Sequence, residues 1–278
     1  MASKIMYLAL AICATTAVAA SAIPETRIVG GSPTTIEEFP YIVALVYFYP
    51  GPGIYVQRCV GSLISSWHVL TTSFCFTGAN LNYMLIRAGS TNSLNGGVLS
   101  TVRDVIKHPN YVEAPRRADI AVVVLNFPVS PSDTIGILYL PPLNWYIPDG
   151  TSVKIVSWGF ESEQGPQLET LKTVNLNKLP LADCQAVYAD SDAVVIEDPV
   201  ICASQPGPIG MCLGDSGAPM VIQNVVVGLA SYYQGCGDNA WPDVFTRIDR
   251  YTDWILDVAV APSASSNFTN VKVAVPTI

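Results

Sequence analysis

One serine in this chain stands where it could act as a nucleophile: Gly214-Asp215-Ser216-Gly217-Ala218-Pro219, a turn-forming run with an acid before the hydroxyl. A serine hydroxyl is a weak nucleophile near neutral pH and needs a neighbouring base to take its proton. Histidine suits that work, because its pKa lies near working pH and its two nitrogens can face a serine and a carboxylate at once. Asp119, in Asp119-Ile120-Ala121, is an acid at the head of an apolar run. The chain holds only two histidines, His68 and His108. His68 falls on a predicted strand and His108 in a predicted surface turn, so both read as structural side chains. A third segment, Thr71-Thr72-Ser73-Phe74-Cys75, carries a phenyl ring at Phe74. That ring has neither a lone pair nor a donor, and it can move no proton.

These residues need a framework, and the sequence predicts one made of strands. Short apolar or alternating runs fall at 41–49, 60–64, 84–88, 102–107, 120–125, 153–158, 168–179, 200–203, 220–231 and 244–247. Gly51-Pro52-Gly53 and Asn95-Gly96-Gly97 punctuate them as turns. Such spacing predicts barrels or a sandwich, not alternating βαβ units. Helices are predicted at 180–190 and at 249–258, where Tyr251, Trp254, Ile255 and Val258 share one face. Half of the 278 residues are hydrophobic and 13% are charged, which is ample for a large core.

Residues 1–22 read as a secretory signal peptide: Lys4 at the start, an apolar run, then Ala20-Ser21-Ala22 as the cleavage site. The run is short for a membrane span. The protein is therefore expected to be secreted and extracellular, with no membrane partner. Residues 23–27 form a short segment ending in Arg27, a processing site before Ile28-Val29-Gly30-Gly31. Beyond the signal six cysteines remain: Cys59, Cys75, Cys184, Cys202, Cys212 and Cys236. An even number in an exported chain argues for disulfides, although six cysteines leave the pairing open. No CxxC pair occurs, so no metal and no cofactor are expected. The net charge is −8 and no Lys/Arg cluster is present, which argues against nucleic acid. Residues 261–278 read as a loosely tied tail carrying a glycosylation sequon at Asn267.

Taken in order, Ile28 to Gly31, Thr71 to Cys75, Asp119 to Ala121, Trp158-Gly159, Gly214 to Pro219 and Ser231 before Cys236 resemble the chymotrypsin-like (trypsin-fold) serine protease family. The resemblance runs over 28–260 as one protease domain. It implies an all-β fold of two six-stranded antiparallel β-barrels with a C-terminal helix and a cleft between the barrels. It implies the disulfides Cys59–Cys75, Cys184–Cys202 and Cys212–Cys236. Cleavage after Arg27 would free the Ile28 amino group to pair with Asp215. Ser216 matches the nucleophile, Asp119 the orienting carboxylate, and the N–H groups of Gly214 and Ser216 the oxyanion hole.

Phe74 stands where the family carries its histidine, and Thr72-Ser73 where Ala-Ala is usual. In the substrate pocket, alongside Ser231 and Tyr232, Gly210 takes the floor position and Asp243 a wall position that is glycine in most members. Tyr233 replaces a glycine that keeps the groove open. Two pocket readings stay open: a carboxylate that favours basic side chains, or side chains that close a disused pocket. The leading functional expectation is a catalytically silent homologue, monomeric, that binds peptides, protease inhibitors or active proteases. The alternatives are a serine endopeptidase of atypical or weak activity, and a binder of unrelated ligands.

Overall fold

The structure, a computed structural model, describes residues 29–261 and 269–274. The signal, the Arg27 site, Ile28 and Asn267 of the sequon lie outside the described residues. A short strand β1 (Ser32–Pro33) precedes two barrels. The first comprises β2 (Ile42–Tyr49), β3 (Ile54–Leu63), β4 (His68–Thr71), β5 (Met84–Ala88), β6 (Val98–Lys107) and β7 (Ala121–Leu125). It closes in the order β2-β3-β4-β7-β6-β5. The second comprises β8 (Ser152–Ser157), β9 (Lys172–Lys178), β10 (Val200–Ser204), β11 (Pro219–Ile222), β12 (Val225–Tyr232) and β13 (Asp243–Arg247). Its order is β9-β10-β13-β12-β11-β8; a β8–β9 pairing closes it, and β1 is added on the edge of β9. All these pairings are antiparallel, so the expected pair of six-stranded barrels is what the chain forms.

Strand β2 shows why its sequence is apolar without alternation. Val43, Leu45 and Tyr47 point into the core of the first barrel, while Ile42, Ala44 and Val46 join the larger cluster shared with the second barrel. Both faces of the strand are covered, so neither can be polar. Strand β5 alternates buried and half-buried residues, as one-sided burial requires.

The predicted strand at 220–231 is two strands, β11 and β12, joined by a tight turn at Gln223-Asn224 with Gln223 at φ +55°. The predicted helices are shorter than their patterns: α1 spans Leu181–Val187, and α2 spans Thr252–Val258 after a 3-10 turn at Ile248–Arg250. The three disulfides join Cys59 to Cys75, Cys184 to Cys202 and Cys212 to Cys236. They close loops of 16, 18 and 24 residues, each contributing about 3 kcal/mol through the unfolded chain.

The tail differs from the sequence reading. Residues 269–274 are tied to the body: Leu140 donates to the Lys272 carbonyl and accepts from the Ala274 N–H, both at 2.8 Å. Val271 and Ala274 pack on the central cluster. The segment thus buries apolar side chains and satisfies Leu140, which no barrel strand pairs. Among the described residues, no helix is long and apolar enough to cross a membrane. None of their His, Cys, Asp and Glu side chains cluster as metal ligands.

Candidate active site

The serine turn is clamped between the barrels. The Ser216 carbonyl accepts from the Val60 N–H of β3 at 2.9 Å, and the Gly217 N–H donates to Ala230 of β12 at 2.8 Å. The Asp215 side chain turns back into the protein, accepting from Cys212 N at 2.8 Å and Gly159 N at 3.0 Å. A Cβ on Gly159 would lie 2.0 Å from that carboxylate, so the glycine is what lets Asp215 close in. Burial pushes the Asp215 pKa up to about 6, against hydrogen bonds from Ser157, Cys212 and Gly159 that lower it. The carbonyl of Val29, the first described residue, accepts from Gly210 N at 3.2 Å. Gly214 adopts φ +85°, and its carbonyl accepts from Gln57 Nε2 at 2.9 Å. Among the described residues no backbone carbonyl accepts from the Gly214 or Ser216 N–H.

Asp119 sits just before β7, 2% exposed. One carboxylate oxygen accepts from the Phe74 backbone N–H at 2.8 Å and the other from Ser231 Oγ at 2.7 Å. Burial pushes its pKa up, opposed by the Arg116 charge, the Ser231 hydroxyl and the N–H groups of Phe74 and Ser73. Phe74 belongs to a 3-10 turn, Ser73–Phe76, that Ser73 ties to the Ile120 carbonyl at 2.7 Å. Over its ring lies Arg116, the guanidinium carbon 3.9 Å from the ring centroid. Arg116 Nη1 is 3.8 Å from Asp119 Oδ2 and also donates to the Ser231 carbonyl, while its Nε has no partner.

Phe74, Ser216, Gly214, Ser231, Tyr232 and Tyr233 line one cleft of about 360 Å³, with Asp119 behind its wall. Other expected residues are not there. Asp243 is 5% exposed; its Oδ2 accepts from Met211 N at 2.8 Å and would touch a Cβ on Gly210 at 2.7 Å. Gly210 and Asp243 therefore stack on each other inside the protein, outside the cleft lining. Tyr233 is half-buried and packs on the central cluster. His68 is buried on β4 with Nδ1 2.8 Å from Ser65 Oγ, and burial lowers its pKa to about 4. His108 sits edge-on to Tyr251 and Trp254. Neither histidine lines the cleft.

Arg116 and Arg58, which line the cleft, and Gln57, buried behind the serine turn, are residues that sequence reading overlooks. For Arg116 a signal was present: Arg116-Arg117 lies immediately upstream of Asp119. Gln57 and Arg58 give no such signal, because their partners lie in other strands and turns.

The buried Asp243 makes stability depend on pH. Burial raises its pKa to about 8, the Met211 N–H opposes this, and the Asp215 charge adds to it. The fold thus favours the neutral acid. Stability from this group is full below the ordinary carboxylate pKa of about 4 and is lost as pH rises towards about 8. Thermal unfolding should fall between pH 5 and pH 8.5 by on the order of 2 kcal/mol, and Asp243→Asn should flatten that fall. An unchanged slope in the variant would reject the assignment.

The fold and site together define a class: two antiparallel β-barrels with a serine-bearing turn clamped in the cleft between them. Residues 28–255 match the family model described as Trypsin. The chain is 33% identical over 252 residues to "Trypsin, alkaline C" of Manduca sexta, covering 90% of this chain and 98% of that protein. It is 31% identical over 234 residues to "Trypsin 5G1" of Aedes aegypti, covering 84% and 85%, and 31% identical to the "Vitellin-degrading protease" of Bombyx mori, covering 84% and 86%. The chain belongs to the trypsin family of serine proteases.

Proposed function

We propose that this trypsin-family protein is exported and binds peptide or protein ligands, protease inhibitors or active proteases among them, without hydrolysing them. The carrying observation is Phe74. Its backbone bonds Asp119, its ring lies in the cleft with Ser216, and Arg116 covers that ring. In this reading Phe74 takes the place of the family's proton carrier, and neither His68 nor His108 lines the cleft to replace it. In a related triad, loss of the histidine lowers kcat by about 10⁶. What remains is a framework held by packing and disulfides, not by catalysis.

The test uses protein cleaved after Arg27, exposed to a serine-directed fluorophosphonate and to basic, apolar and aromatic peptide substrates. The reading expects no labelling of Ser216 within hours and no turnover above the uncatalysed background. Labelling or cleavage at the pace of an active trypsin assayed alongside would establish an endopeptidase instead.

A further inference from the structure

The charge lining the cleft is opposite to that of the protein. The chain carries a net charge of −8, yet Arg58 and Arg116 are the charged side chains lining the cleft, and no acid lines it. Arg58 is held in place by two backbone carbonyls, Nε to Cys75 at 2.9 Å and Nη2 to Thr77 at 2.6 Å, with Tyr47 beneath it at 5.4 Å. These contacts use two of five guanidinium donors and cancel none of its charge. Among the described residues Arg58 forms no ion pair; Glu113 bonds the Thr77 hydroxyl at 3.4 Å instead. Arg116 reaches Asp119 only at 3.8 Å and spends its closest bond on a neutral carbonyl.

The other carboxylates stand off. Asp119, Asp215 and Asp243 are buried and do not line the cleft. Glu163 is felt at Tyr233 but does not line the cleft. Tyr49, Phe74, Tyr232 and Tyr233 supply aromatic surface around the two cations, and Gly214 and Ser216, whose N–H groups have no backbone acceptor among the described residues, line the same cleft. An arriving carboxylate would give Arg58 a charged partner in a planar fork and Arg116 a second one beside Asp119.

We propose that the cleft recognises an acidic peptide segment, with an aspartate or glutamate carboxylate held by Arg58 and Arg116 and neighbouring side chains lying on the cleft's tyrosines. This rests on the reading that the cleft binds without cleaving, and it names the ligand class.

Three fluorescein-labelled peptides of one sequence test it, carrying glutamate, glutamine or lysine at alternate positions. Binding to the purified protein is read by anisotropy at low and high salt, and each mixture is checked by mass spectrometry. The glutamate peptide should bind about tenfold or more tighter than the glutamine peptide, weaken with salt, and lose about tenfold in Arg58→Gln. The lysine peptide should bind least. Circular dichroism and thermal melting of Arg58→Gln establish that the variant is folded, and a second variant, Arg58→Lys, should recover part of the loss. Equal binding of glutamate and glutamine peptides, tighter binding of the lysine peptide, no binding at all, or an unaffected Arg58→Gln would each overturn the proposal. Cleavage of any peptide would overturn the non-hydrolytic reading, whichever peptide binds best.

Discussion

A Phe74→His variant should acquire measurable esterase and fluorophosphonate reactivity, and Phe74→His combined with Arg116→Leu should exceed it by about 10²-fold or more. The first half follows from what the site retains. Asp119 is buried and bonded to the Phe74 backbone N–H, Ser216 is clamped between barrels, and the Gly214 and Ser216 N–H groups have no backbone acceptor among the described residues. On the proposed reading the site lacks its proton carrier, and supplying one should recover part of the roughly 10⁶ in kcat that its loss costs. The second half follows from Arg116. Its guanidinium, 3.9 Å above the present ring and 3.8 Å from Asp119, would confront an imidazole that must become positive when it takes the serine proton. Two unit charges 4 Å apart at an effective dielectric of 20 repel by about 4 kcal/mol, which is about a thousandfold in rate. Leucine removes that charge while still covering the ring.

Kinetics with a neutral ester, active-site titration and a melting curve for each variant separate chemistry from folding. Equal activity in the single and double variants would show that Arg116 does not oppose the base. A folded double variant that stays inert would show that the serine turn has lost its geometry.

Gly217→Ala should destabilise the protein by about 4 kcal/mol or more, independently of any catalytic function. Gly217 adopts φ +82°, and a Cβ there would lie 2.1 Å from the Val60 carbonyl oxygen and 2.2 Å from Thr71 Oγ1. The Val60 carbonyl already holds Thr71 Oγ1 at 2.7 Å, and Val60 N holds Ser216. The clash is therefore with backbone at the seam of the two barrels, where nothing can swing aside. Denaturant unfolding gives the loss directly, and Ser216→Ala serves as the control with little expected change. A Gly217→Ala protein within 1 kcal/mol of the parent, roughly the scale of an ordinary substitution, would contradict this account of the serine turn. The same geometry makes the Gly-Asp-Ser-Gly run a structural joint between the barrels, independent of any cleavage chemistry.

Much of the framework was legible because its signals are local. Runs such as Met84–Ala88 announce a strand by their alternation, and the cysteines lie where three disulfides form. Legibility failed where a segment's state depends on distant partners. The run at 220–231 divides at Gln223, whose positive φ no periodicity reveals. The segment 269–274 is small and Val-rich with no pattern of its own, and it is ordered by Leu140 from far along the chain.

The candidate site divides in the same way. That Ser216 follows an acid between glycines, that Asp119 heads an apolar run, and that Phe74 cannot carry a proton are all properties of side-chain chemistry, and sequence alone determines them. Only the tertiary structure decided what fills the space around them. It placed Arg116 over Phe74 and near Asp119, buried Asp243 against Gly210, and left Arg58 without an acid in the cleft. The physical reason is that charge compensation and close packing are set by distances across barrels and turns. A composition of −8 says nothing about the sign of the charge that lines a cleft of 360 Å³.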